Sequence, residues 1–190
     1  MAATTAPDGP RGPVTDLIPE GDNRLRKVCT DCGFIAYENP KIVVGSVCGW
    51  EDRILLCRRA IEPRLGFWTL PAGYLELNET TGDGALREAM EEAGAQIALE
   101  GLLAVYDIPR ISQVQLIYRA RLVSPDIMAG PESLDVGLFA WDEIPWDDLA
   151  FPSVRWALDH YREMLATGDP RPRTNPPGAT GAMRTAPPGL

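Results

Sequence analysis

The chain has 190 residues, of which 18 are basic and 27 acidic, giving a formal charge of −9 at pH 7. That length favours one domain with appendages, and a hydrophobic content of 45% suffices for a sizeable core. The acid excess argues against a nucleic-acid-coating protein, and a single histidine, His160, excludes multi-histidine metal sites.

The N-terminal stretch MAATTAPDGP lacks the basic region and apolar run of a signal peptide. The apolar stretch Ile42 to Trp50 is too short to span a bilayer. Four cysteines, Cys29, Cys32, Cys48 and Cys57, are too few for a disulfide framework at this length. Together these features predict a cytoplasmic protein. Cys48 and Cys57 sit in strand-like runs and read as small buried hydrophobes.

In chain order, residues 1–23 and 168–190 hold ten of the 18 prolines. Both segments are expected to be disordered tails, because they bury too little to offset backbone entropy. The folded part should run from Arg24 to Thr167. Residues 24–40 contain the pair Cys29 and Cys32. Lys41 to Gly49 and Arg53 to Cys57 predict two strands around the turn Trp50-Glu51-Asp52. An irregular segment follows, marked by Pro63, Gly66, Pro71 and Gly73. A helix should start at Thr80 or Thr81, either able to cap it, and end at Gly94. Strands are expected at Ile97 to Tyr106, Ser112 to Leu122 and Val136 to Trp141. A last helix, Ser153 to Ala166, places Val154, Ala157, Leu158, Tyr161, Met164 and Leu165 at core spacing. The irregular alternation suits an α/β fold with a mixed sheet.

On a helix at about 100° per residue, Glu88, Glu91 and Glu92 share one arc. Leu86, Ala89, Met90 and Ala93 occupy the opposite one. The helix should therefore pack its apolar side on the sheet and display three acids on the other. Clustered carboxylates suit either a solvated face or a site for hard cations, since Mg²⁺ and Mn²⁺ prefer oxygen ligands.

The wider spacing is G-x5-E-x7-R-E-U-x-E-E-x-G-U, where U is apolar. It is matched by Gly73, Glu79, Arg87, Glu88, Ala89, Glu91, Glu92, Gly94 and Ala95. Seven fixed identities arise by chance on the order of once per million such chains. The pattern resembles the Nudix box, here spanning residues 73–95. The resemblance implies a Nudix α/β/α sandwich over residues 41–167 and hydrolysis of a phosphoric anhydride with Mg²⁺ or Mn²⁺. It also implies roles. Glu88 and Glu92 would be the principal metal ligands, with Glu91 joining them or polarising the attacking water. Arg87 would orient Glu88, and Glu79 would pair with Arg87. The Ala72 carbonyl would be the backbone ligand, with Gly73 letting that backbone approach the metal. Relatives take one more acid from outside the box. Asp135 is the positional match but reaches less far than glutamate, and Glu132 is the alternative, at the metal or against substrate.

Val28 to Gly45, VCTDCGFIAYENPKIVVG, resembles the second half of a zinc ribbon that precedes some Nudix domains. LLCRRAIEPRLGFWTLPAGYLE, GPESLD and LFAWDEIPW extend that resemblance to the subgroup with the plant chloroplast FAD and ADP-ribose pyrophosphatases. The first cysteine pair of the ribbon is missing, so Cys29 and Cys32 make half of a four-ligand zinc site. A knuckle turn without zinc is expected, with zinc shared between two protomers as the alternative. The subgroup resemblance implies a small nucleoside diphosphate derivative as substrate: FAD, giving FMN and AMP, or ADP-ribose, giving AMP and ribose 5-phosphate. NADH pyrophosphatase activity, or a non-catalytic ADP-ribose sensor, is the alternative.

Arg58, Arg59 and Arg64 are candidates to hold phosphates. Trp68 is a candidate to stack on adenine or isoalloxazine, as is Phe67, with core packing competing for at least one of them. Gln113 is a candidate contact to a base or ribose. No nucleic-acid or membrane partner is expected, because residues 24–167 carry 14 basic and 22 acidic residues and no basic stripe. Many relatives pair through their N-terminal segments, so a homodimer is admitted.

Overall fold

The computed structural model describes residues 12–182. The disorder expected for residues 1–11 and 183–190 lies outside the described residues. The chain divides into two compact units, Met1–Asn39 and Pro40–Leu190. Among the described residues, no helix is long and apolar enough to cross a membrane.

The first unit is a small antiparallel sheet of β1 (Thr15–Leu17), β2 (Arg26–Val28) and β3 (Ile35–Ala36), in that order. Residues 12–23 therefore include a paired strand, where proline content predicted a tail. The short strand is held by main-chain pairing and by Asp16 with Lys27, 2.8 Å apart, which proline counting does not see. Between β2 and β3 the chain makes a knuckle: the Gly33 amide donates to the Cys29 carbonyl, and the Cys29 amide to the Phe34 carbonyl. Gly33 has φ +75°, which glycine adopts at little cost.

The second unit is a mixed sheet with one long helix on each face. Its strands are β4 (Lys41–Trp50), β5 (Arg53–Arg59), β6 (Trp68–Thr69), β7 (Ala72–Tyr74), β8 (Ile97–Ile108), β9 (Gln113–Leu122) and β10 (Ser133–Ala140). The order is β10-β5-β4-β9-β8, with β6 on β5 and β7 on β4. β4 and β9 are parallel; the other pairs are antiparallel. β4 and β5 pair only at the hairpin end, through Gly49 with Ile54 and Trp50 with Arg53. Further along they splay, and the short strands β6 and β7, inside the segment predicted to be irregular, take up the freed edges.

Side chains alternate between faces along each strand. Val47, Ile54 and Leu56 therefore join the core under α2 (Pro152–Thr167), with Val154, Ala157, Leu158 and Tyr161. Cys48, Leu55 and Cys57 join the core under α1 (Thr81–Ala93), with Ala89 and Ala93. Burial on both faces is why these strands read as continuous apolar runs. Burial pushes the Cys48 thiol up to about 12. Leu165, expected in the core, is exposed, whereas Met164 beside it packs against the core. His160 shares a 2.8 Å hydrogen bond with the Tyr106 hydroxyl.

Residues 168–182 are also ordered, correcting the tail expectation over that range. The Arg173 amide donates to Leu103 O and the Val105 amide to Arg173 O. The Asn175 side chain accepts from the Asp107 amide and donates to the Asp107 carbonyl. This strap satisfies backbone groups on the outer edge of β8, the groups an edge strand otherwise leaves unpaired.

α1 begins at Thr80, whose hydroxyl accepts from the Asp83 amide and donates to the Asp83 carboxylate at 2.6 Å. It ends at Gly94, φ +57°. Thr80→Ala removes the cap and should cost about 1 kcal/mol, lowering the thermal midpoint by about 2–4 °C in a calorimetric scan.

Candidate active site

The first helix does not sit as its acid arc predicted. Glu88 and Glu92 lie on the sheet side with Ala85, Ala89 and Ala93, whereas Leu86 and Met90 are exposed. Only 7% of Glu88 and 6% of Glu92 is exposed. Small residues allow this. Gly84 lies so close to the sheet that a Cβ there would come 2.8 Å from Val44 Cγ2, and three alanines continue the tight face. The helix is drawn down until two of its acids are carried below the surface, and Glu91 remains on the solvent side.

Arg87 holds this arrangement together. Its Nε and Nη2 donate to the two Glu79 oxygens at 3.1 and 2.7 Å, its Nη1 donates to Glu88 at 2.6 Å and to Glu91 at 2.9 Å, and Nη2 also donates to the Tyr74 carbonyl at 3.0 Å. A planar fork with five N–H groups is suited to such a junction in a way that lysine is not. Arg87 holds the Glu79 carboxyl below its ordinary range. Glu88 is pushed up by burial despite Arg87. Among the described residues Glu92 has no arginine bonded to it; it accepts from the Ala72 amide at 3.0 Å. Burial pushes its carboxyl up to about 8, with the nearby Glu88 adding to the effect.

β7 brings the backbone to these acids. Gly73 pairs with Val44, and a Cβ on Gly73 would fall on the Glu88 carboxylate. A side chain there would displace that carboxylate, so glycine is favoured by close approach rather than by a special dihedral. The loop before β10 supplies a fourth acid. Its Gly130 amide donates to Glu92 O at 3.0 Å, and a Cβ on Gly130 would overlap the Glu91 carbonyl. Glu132, two residues on, lines the same cavity as Glu88, Glu91 and Glu92.

That cavity has a volume of about 820 Å³, within the range of small-molecule sites. Of the residues the sequence singled out, it gathers Arg59, Ala72, Gly73, Arg87, Glu88, Glu91, Glu92, Gln113 and Glu132. Glu79 touches it through Arg87. Four candidates lie elsewhere. Arg58 Nε donates to Gly66 O, Arg64 Nε donates to Ala150 O and its guanidinium covers the Phe67 ring, and Trp68 packs edge-on against Phe139. Asp135 pairs opposite Arg58 in the sheet and accepts from the Val136 amide. Strand alternation accounts for the arginines: Arg59, next to Arg58, points to the opposite face and lines the cavity. It is anchored through Nε to Pro63 O at 2.9 Å and lies over Phe151.

The donor types suit a hard divalent cation, with four carboxylates lining one cavity beside a backbone cradle that a Cβ would fill, although among the described residues no three acids stand grouped closely enough to hold a metal ion as they are. In the knuckle of the first unit, the amides of Cys32 and Asp31 lower the Cys29 thiol. Cys29 is buried and Cys32 exposed. Two sulfurs do not fit a tetrahedral zinc site within one chain.

A family model described as NUDIX domain matches residues 39–162, and a zinc-ribbon model described as Nudix N-terminal matches residues 12–38. The chain belongs to the Nudix hydrolase family. A NUDIX hydrolase of known structure from Nitrosomonas europaea is 46% identical, with 85% of this chain and 93% of that one covered and a TM-score of 0.81. The ADP-ribose pyrophosphatase of Methanocaldococcus jannaschii is 27% identical over 130 residues, 66% of this chain and 76% of that protein. The NAD-capped RNA hydrolase NudC of Salmonella typhi is 30% identical over 96 residues, 50% of this chain but 37% of that protein.

A carboxyl that titrates near 8 when folded and near its ordinary 4.5 when unfolded retains a proton that the unfolded chain has lost. Stability then falls as pH rises from about 4.5 to about 8. Chelator-treated protein should therefore melt several degrees lower at pH 8 than at pH 5.5. Glu92→Gln should flatten that slope and melt higher than the parent at pH 8.

Proposed function

We propose that this chain hydrolyses the diphosphate of an ADP-ribose-type nucleoside diphosphate derivative, using Mg²⁺ or Mn²⁺. The observation that carries this reading is the pair of buried carboxylates, Glu88 and Glu92, opening into a cavity that also holds Arg59. The relative named ADP-ribose pyrophosphatase supports the substrate class. FAD and NADH belong to the same chemical class, and the match to the NudC proteins, 30% identical over 96 residues, supports testing NADH.

The bound cation would be held by Glu88 and Glu92, with the Ala72 carbonyl and Glu132 as further oxygen donors. When bound, such an ion neutralises the diphosphate and acidifies bound water. The rest is the work of the chain's own residues. Arg87 fixes Glu88 and Glu91 relative to each other, which sets the geometry in advance of binding. Glu91, on the open side of the cavity, accepts the proton of the attacking water. Arg59 offers its remaining N–H groups to phosphate oxygens, its plane fixed by Pro63 and Phe151.

Incubation with ADP-ribose, FAD and NADH under Mn²⁺ should give AMP from ADP-ribose fastest; no turnover of any of the three overturns the proposal. Glu92→Gln should lower kcat by about 10³-fold or more while the protein stays folded. Arg87→Lys should lower kcat by at least about tenfold, because one ammonium cannot replace the guanidinium junction. Full activity in either variant overturns the assignment of these residues.

A further inference from the structure

The cavity has a second wall that the box does not build. It runs across the sheet from β7 and β4, past Gln115 on β9 and Ile108 on β8, to Gly181 of the C-terminal strap. From β4 to the strap is about three strand spacings, or ~14 Å, long enough for a nucleoside extending from a diphosphate held at the carboxylates. The chemistry changes along that path. The carboxylate end is charged, whereas the strap end is apolar, with Ile108, Ile111 and Val154, and carries a few polar groups. Gln115 donates to Gln113 at 2.8 Å. Arg110 donates through Nε to the Gly181 carbonyl at 3.1 Å, and among the described residues its two terminal nitrogens have no protein partner.

We propose that the strap residues Arg173 to Gly181 complete a subsite for a heteroaromatic base, in which Gly181 holds Arg110 as the positioning residue. This rests on the same cavity being the substrate site. Apolar walls with a fixed guanidinium and a glutamine pair match a flat ring bearing acceptor atoms at its edge. An arginine anchored at Nε has already lost much of its side-chain freedom, so less entropy is lost when the ligand arrives. The strap is itself latched: Asn175 pairs with both main-chain groups of Asp107. Gly181 has φ +73° and lies against Ile108, where a Cβ would come within 2.8 Å.

The test is direct titration of the full-length protein with AMP and with ribose 5-phosphate, each with Mn²⁺. The second ligand has a phosphate and no base. Arg110→Ala should weaken AMP about tenfold and leave ribose 5-phosphate within about twofold. Asn175→Asp, which loses the donor to Asp107 O, and Gly181→Ala, which displaces the strap, should have the same selective effect. If those two variants fail to fold, Arg110→Ala decides alone. Equal weakening of both ligands, or no change for AMP, overturns the subsite. Selective loss of AMP in a protein that turns over no dinucleotide upholds the subsite and rejects the hydrolase reading. Turnover with unchanged AMP binding does the reverse.

Discussion

Everything at this site depends on two carboxylates being placed where carboxylates are uncomfortable. Glu88 and Glu92 are buried against the sheet, and among the described residues the only cation bonded to either is Arg87, which Glu88 shares with Glu79 and Glu91. Burying ionised carboxylates is costly unless charge or hydrogen bonds compensate. Here the compensation is deliberately partial: Glu92 has one backbone amide and a carboxyl pushed up to about 8. A cation bound as proposed would relieve this cost, so part of its affinity would be stored in the fold. Functional sites commonly carry such local destabilisation, sustained by the surrounding structure.

Sustaining it falls to residues with almost no side chain. Gly84, Ala85, Ala89 and Ala93 let α1 approach the sheet, Gly73 lets β7 reach Glu88, and Gly130 lets the β10 loop close on the end of the helix. Splaying of β4 from β5 provides the edge on which β7 lies. The site is therefore assembled from close approaches, and its weak points are positions where a methyl group has no room.

Much of this was legible in the sequence. The box spacing located the acids and their arginine, capping residues located both ends of α1, and apolar runs located β4, β5, β8 and β9. The depth of the acids was not legible. An angular plot treats alanine as weakly apolar and leucine as strongly so, and therefore set Leu86 and Met90 toward the core. Packing space decided otherwise, because the alanine face permits a closer contact. Strand alternation was the signal that would have preferred Arg59 to Arg58, and the tight pair Gly130-Pro131 the one that would have preferred Glu132 to Asp135. The ordered strap left no such trace, since its hold on β8 is made by main-chain groups and one asparagine.

The direction of α1 matters as well as its face. The helix runs from the Thr80 cap toward Gly94, so Glu91 and Glu92 fall in its last turn, which holds no basic residue. The aligned peptide dipoles leave that end partially negative. The Glu92 and Ala93 carbonyls accept from the Gly130 and Met128 amides, yet the dipole still adds to the acids' pull on any cation the site would take, and the same acids in the first turn of a reversed helix would face amide protons instead. Polarity of the chain is thus one of the ingredients of the site, set by a threonine at one end and a left-handed glycine at the other.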